Sequence, residues 1–270
     1  MSLVSCHVLL VAKPRFVEYS VFMAQQFGRR TSNIYNPGSS IPYKLSRSKL
    51  ELFIECPRCF YLDRRLGISR PEGFPFTLNK AVDALLKKEF DIHRAKGEPH
   101  PLMTKYNIDA IPFAHEDLGK WRENFVGVQH FHESSNLIIT GAVDDVWINH
   151  QGELIVVDYK ATSTSKEITL EEEYRQGYKR QMEIYQWLLR RIGFKVSNMG
   201  YFVYVNGKTD RAAFDGKLEF DVFILSYKGS DDWVEKIVFA ARECLSGDEI
   251  PAASMNCAYC PYAKLRQEIE

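Results

Sequence analysis

The chain has 270 residues, of which 45% are apolar and 26% charged, a composition that excludes an intrinsically disordered protein. Lysine and arginine together equal aspartate and glutamate at 35 each, so a strongly basic whole-protein field is excluded and any nucleic-acid contact must come from a local basic patch. No apolar run approaches the roughly 20 residues that a membrane helix needs, and the short apolar stretch from Val8 to Ala12 has neither a basic residue before it nor a small-residue cleavage site after it. The chain is therefore expected to be soluble, not exported and cytoplasmic.

Taken in chain order, residues 1–42 have no sustained helical or strand period and end in the turn cluster Asn36-Pro37-Gly38-Ser39-Ser40, so they read as an N-terminal extension to a domain spanning 43–270. Ser46 or Ser48 then caps a helix carrying Leu50, Phe53 and Ile54 at helical spacing, which Pro57 interrupts after Cys56. A basic segment with Arg58, Arg64, Arg65 and Arg70 follows. Leu78 to Arg94 reads as a second helix, with Ala81, Val82, Leu85, Leu86 and Phe90 on one side.

Beyond Val126 the period changes to that of strands. Leu137 to Thr140, Ala142 to Ile148 and Leu154 to Ala161 are rich in β-branched residues and are separated by polar turns. Glu171 to Ile192 reads as a long helix, Gly200 to Val205 and Leu218 to Ser226 as strands, and Asp231 to Cys244 as a helix. Helices, then strands, then a helix and further strands indicate an α/β or α+β domain with a mixed sheet.

The strands ending at Ile148 and starting at Leu154 are joined by a short turn centred near residue 151. In such a hairpin positions 144 and 158 lie opposite one another, and strand alternation puts Asp158 and Lys160 on the same face. Two carboxylates side by side repel, and a divalent cation removes that penalty. A lysine beside the ion stabilises developing negative charge. The competing interpretation is a surface salt bridge, but Val143, Val156 and Val157 around the charges imply a buried sheet, where charges are seldom ornamental.

Gly141-Ala142-Val143-Asp144, Asp158-Tyr159-Lys160 and Gln181-Met182-Glu183-Ile184-Tyr185 stand in order as G-x-x-D, D-x-K and Q-x-x-x-Y. In this the chain resembles the RecB-like nucleases of the PD-(D/E)XK superfamily, which include CRISPR-associated exonucleases, from about Ser46 to Cys260. The resemblance implies a restriction-endonuclease-like core with a mixed central sheet flanked by helices. It also implies Asp144 and Asp158 as ligands of Mg2+ or Mn2+, Lys160 as the catalytic lysine, and Gln181 and Tyr185 on a helix face looking onto the site. Where the family places G-x-x-x-H on the helix before the sheet, this chain has Asn79 to Asp83. Asp83 is thus the candidate third ligand and His93 its rival.

Cys56-Pro57-Arg58-Cys59 and Cys257-Ala258-Tyr259-Cys260 are two C-x-x-C pairs at opposite ends of the domain. Four thiolates suit a tetrahedral zinc or a cubane iron–sulfur cluster that joins the N- and C-terminal segments. The resemblance implies a [4Fe-4S] cluster, with structural zinc as the competitor, because the family's one-plus-three cysteine spacing is here two plus two and Arg266 stands where a last cysteine is expected. Cys6 and Cys244 are unpaired in this scheme. The implied function is a metal-dependent deoxyribonuclease acting on single strands or duplex ends in repair or recombination. The alternative is a catalytically inactive DNA-binding module that retains the cysteine site. The arginines after Pro57 are candidate phosphate contacts or a solvated face, and Tyr61 and Trp121 are candidate base-stacking or core aromatics.

Overall fold

The computed structural model describes residues 29–71, 73 and 77–269. Strand β1 (Tyr43–Ser46) leads into helix α1 (Arg47–Glu55), which stops at Cys56 because Pro57 opens a new helix, α2 (Pro57–Arg65). Ser46 occupies the N-cap position with extended backbone but makes no side-chain capping bond. Helix α3 (Thr77–Lys96) follows, then α4 (Pro101–Lys105), β2 (Ala110–Pro112), α5 (Leu118–Trp121), β3 (Val128–His132), β4 (Leu137–Gly141), β5 (Asp145–Asn149) and β6 (Leu154–Thr162). The chain closes with α6 (Gln176–Arg191), β7 (Met199–Gly207), β8 (Phe220–Lys228), α7 (Val234–Ser246) and α8 (Tyr259–Gln267). Among the described residues no helix is long and apolar enough to cross a membrane.

Two sheets result. The larger has the order β2-β5-β6-β7-β8, with β6 and β7 parallel and every other neighbour antiparallel; the smaller has the order β1-β4-β3, with β1 and β4 parallel. Helix α6 is the crossover that a parallel β6–β7 pair requires. The mixed sheet flanked by helices is the architecture that the sequence pattern indicates.

Strand β6 is buried on both faces, which explains its nearly unbroken apolar run. Leu154 and Val156 join the core shared with Met182, Ile184, Tyr185 and Leu188 of α6, while Ile155, Val157 and Tyr159 join Leu86 and Phe90 of α3. Helix α6 therefore lies under one face of the larger sheet and also packs against β3 and β4 of the smaller one. That sandwiching buries nearly every side chain from Gln181 to Leu189.

Several element boundaries differ from the sequence reading by a few residues. Residues 142–144 are not in strand, because their backbone bonds elsewhere: Val143 N donates to Trp121 O at 3.0 Å, and Arg122 Nε donates to Asp144 O at 3.1 Å. Helix α6 begins at Gln176 behind a tighter 3-10 turn, Glu173–Arg175, in which Arg175 turns inward to pair with Glu172. Residues 29–42, which carry no period, still dock on the helices: Tyr35 is buried, its N–H donates to Arg64 O at 2.7 Å, and its ring meets Tyr43 edge-on.

A buried acid on α6 ties the helix to the far side of the sheet. Glu183 accepts from Tyr227 Oη at 2.6 Å, Ser230 N at 3.1 Å and Trp233 Nε1 at 2.8 Å. Replacing it by alanine leaves three donors unmatched. Glu183→Ala is expected to lower unfolding free energy by roughly 1–3 kcal/mol, read as a lower urea midpoint at unchanged slope. A midpoint within error of the parent would show that these bonds contribute nothing net.

Candidate active site

The C-terminal half of β6 and the residues leading into β5 place the charged groups. The hairpin pairs Asp145 with Val157 and Ile148 with Leu154, the register centred on residue 151 that the sequence implies. Asp144 lies one residue ahead of β5, and its Oδ2 accepts from the Tyr159 N–H at 2.9 Å, so the carboxylate is anchored to the backbone of β6. Asp158 is completely buried. Its Oδ1 accepts from Gln181 Nε2 at 2.7 Å, while Oδ2 lies against the Lys160 ammonium as an ion pair. The Lys160 ammonium also sits over the Tyr178 ring, 4.4 Å from its centroid.

Gln181 and Tyr185, one helical turn apart on α6, both reach this point. The Gln181 amide donates to Tyr185 Oη at 3.2 Å as well as to Asp158. The glycine of G-x-x-D has a packing reason: a Cβ at Gly141 would meet Tyr185 Cε1 at 2.6 Å, so a glycine lets the ring approach the end of β4 this closely.

Above Lys160 opens a cleft of about 510 Å³, walled by Asp83 and Lys87 of α3, Arg122, Asp144 and Tyr178. Asp83 and Lys87 form an i,i+4 pair at 2.9 Å, and Lys87 Nζ is 3.6 Å from Asp144 Oδ1. Asp83 is thus brought to the carboxylate site. His93 is not: it lies farther along α3, edge-on to His100. The side chain of Tyr174 lies outside the described residues.

The electrostatics follow from burial. Desolvation pushes Asp158 up to about 6, against the pull of Lys160 and with help from Asp144. Burial alone would lower Lys160, but the Asp158 and Asp144 carboxylates outweigh it and hold the lysine above its ordinary value. Burial also raises Asp83; Lys87 opposes this and the Asp144 charge adds to it. Asp83 and Asp158, both raised, stand with Asp144 as a set of carboxylates whose donors are all oxygen, as a hard divalent cation requires. The fit is that of an open site. Among the described residues, the four cysteines are the group of three or more potential ligands whose atoms all lie within 4.8 Å of one another, and the carboxylates are more widely spaced.

A second buried acid escapes motif reading. Asp145, fully enclosed, pairs with Arg94 Nη2 at 2.5 Å and Arg122 Nη2 at 2.9 Å, and accepts from Tyr159 Oη at 2.8 Å. Both arginines also hold Asp91 at 2.9 Å. The Asp144-Asp145 doublet before a strand is the one signal in the sequence that pointed there. One acid faces the cleft and its neighbour anchors the wall.

The other candidates divide. Cys56, Cys59, Cys257 and Cys260 converge, with Sγ–Sγ separations of 3.8 Å for 56–260, 3.6 Å for 59–257 and 3.5 Å for 59–260. Cys244 stands apart near Pro57, and Cys6 lies outside the described residues. Arg64 is buried against Asp63, and Arg70 is engaged by Glu55 and by Cys257 Sγ, which removes both as phosphate contacts. Tyr61 and Trp121 are buried, the first bonded to Gly247 O and the second stacked on His115, so both are core aromatics and not base platforms. Arg266 lies on the exposed helix α8.

A family model described as the PD-(D/E)XK nuclease superfamily matches residues 77–265. The chain belongs to that superfamily. The matched span begins at α3, with Asp83, and ends past the last cysteine, so it covers the whole carboxylate cleft. In this PD-(D/E)XK protein Asp158-Tyr159-Lys160 lies within β6, the middle strand of the larger sheet. A solved structure described as "Crystal structure of SSO0001" aligns over 93% of this chain and 93% of that one, at 17% identity and a TM-score of 0.38, a likeness that carries no argument. No curated protein matches the chain.

Because the Asp158 carboxyl is raised in the folded chain, the folded state holds its proton more tightly than the unfolded state does. Its contribution to stability is therefore most favourable below about pH 4 and is lost as pH rises through about 6. In the metal-free protein, a carboxyl-carbon NMR titration is expected to place Asp158 near 6. A midpoint at or below the ordinary aspartate value would contradict the burial argument.

Proposed function

We propose that the protein is a metal-dependent deoxyribonuclease in which Asp144 and Asp158, with Asp83, hold a divalent cation, Mg2+ or Mn2+, and Lys160 acts beside it. The observation that carries this reading is the enclosed Asp158–Lys160 pair, set against a backbone-anchored Asp144 at the floor of a cleft open to solvent. Burying such charges is costly, and a purely structural pair gains little over apolar residues of the same size.

A divalent cation at these carboxylates supplies a Lewis acid for the scissile phosphate and lowers the pKa of the attacking water. The chain's own residues do the rest. Gln181 donates to Asp158 Oδ1 and fixes the rotation of that carboxylate, which leaves Oδ2 facing Lys160. Lys160, kept protonated by its two acidic neighbours, neutralises charge that builds on the phosphoryl oxygens as the water oxygen bonds to phosphorus and the sugar oxygen departs. Lys87 lines the wall and faces an approaching phosphodiester backbone, while Arg122, engaged by Asp91 and Asp145, holds the wall in place. Tyr185 supports Gln181 from behind and is a positioning residue.

We further propose that the substrate is DNA presented as a single strand or a duplex end, as in repair or recombination, and that the protein works in the cytoplasm, a reducing compartment in which its thiols persist. The test is to incubate the pure protein with end-labelled single- and double-stranded DNA and Mn2+ or Mg2+, beside a Lys160→Ala variant whose folding is checked by circular dichroism. Metal-dependent cleavage is expected, with at least a roughly hundredfold loss in the variant. DNA retention without cleavage under either metal would replace the nuclease by a DNA-binding module. Equal cleavage by both proteins would remove Lys160 from the chemistry.

A further inference from the structure

We propose that Cys56, Cys59, Cys257 and Cys260 form a single-ion tetrahedral zinc site and not a [4Fe-4S] site. The argument is metric. Four thiolates around one zinc, at the ordinary zinc–sulfur distance of about 2.3 Å, lie about 3.8 Å apart along the edges of the tetrahedron. A cubane cluster places four irons and four sulfides between the thiolates and spreads the cysteine sulfurs to roughly 6 Å. Three of the six separations here are 3.5, 3.6 and 3.8 Å, and all lie within 4.8 Å. The space between the sulfurs is the size of one ion, and their spacing does not fit the cubane.

The surroundings agree with a rigid structural site. Cys56 is the N-cap of α2 and Cys59 lies in its first turn; Cys257 and Cys260 flank the start of α8. Cys56, Cys59 and Cys257 are buried and Cys260 is half-buried, and four thiolates complete the tetrahedral shell of a structural zinc. Arg70 reaches Cys257 Sγ at 3.7 Å, with its guanidinium over the Tyr259 ring and ion-paired to Glu55, and offsets the net negative charge of four thiolates on a dication. Loading is a ligand exchange: four zinc–sulfur bonds form, the thiol protons pass to solvent, and nothing is oxidised or reduced. The site then acts as a staple, tying the C-terminal tail to α1, which packs on α6 and α7, and to α2, which packs on α7.

The full-length protein is expressed with iron and zinc both supplied and purified without oxygen, and zinc, iron and acid-labile sulfide are measured per chain. About one zinc, no iron and no sulfide in a colourless protein are expected. Cobalt substituted for zinc is expected to give the intense visible ligand-field bands of a tetrahedral four-thiolate site, a readout on the unmutated chain. Cys260→Ser is expected to weaken zinc retention against a competing chelator at least tenfold. About four irons with matching sulfide and a brown colour would overturn the proposal, as would a folded protein that holds neither metal. None of these readings depends on whether the chain cuts DNA, so the zinc proposal and the nuclease proposal fail separately.

Discussion

The structure turns on one buried charge. Asp158 sits with no exposed surface on a strand whose two faces are otherwise filled with valine, isoleucine, leucine and tyrosine. A lone carboxylate there would be too costly to keep ionised. It is kept by contacts that come from two directions: Lys160 two residues along the same strand, and Gln181 from the helix beneath. Since β6 and β7 are parallel, α6 must return across the sheet, and it returns under Asp158. The sheet topology, the burial of α6 and the place of the acid are thus consequences of one arrangement.

A second charged knot fixes what faces that acid. Asp145, Arg94, Arg122 and Asp91 bind α3 to the beginning of β5, and Arg122 also holds the Asp144 carbonyl. Without this knot, α3 would have only its apolar side to set its angle, since Leu86 and Phe90 are its buried residues. With it, Asp83 and Lys87 stand over Asp144. Truncating one partner of such a network leaves the others buried and unpaired, so the wall of the cleft depends on all four groups.

Much of this was legible in the sequence because strand geometry is regular. The hairpin centre at residue 151 gave the pairing of 145 with 157, and two-residue alternation put Asp158 and Lys160 on one face. Helical spacing put Gln181 and Tyr185 together. What escaped was decided by contacts distant in sequence. The strand expected from Ala142 starts at Asp145 because Trp121 and Arg122 take the backbone of residues 143 and 144. The arginines after Pro57 look like a phosphate-binding run, yet two of them serve Asp63 and the cysteines. Asp145 and Glu183 look like surface acids by type, and only the fold shows the donors gathered around each. Sequence spacing identified the four cysteines as a set, but the size of the space between them is a property of how α2 and the C-terminal tail meet.

The central claim is that Asp144 and Asp158 form a cation site whose occupancy competes with the Asp158 proton. Calorimetric titration of Mn2+ into protein with its cysteine site intact, at pH values on either side of 6 and beside an Asp144→Asn variant, tests it directly. The account predicts one manganese site in the parent, weaker below pH 6 because the metal must displace the proton on Asp158, and lost in the variant. Manganese binding of equal strength in parent and variant, or indifferent to pH across that range, would contradict it.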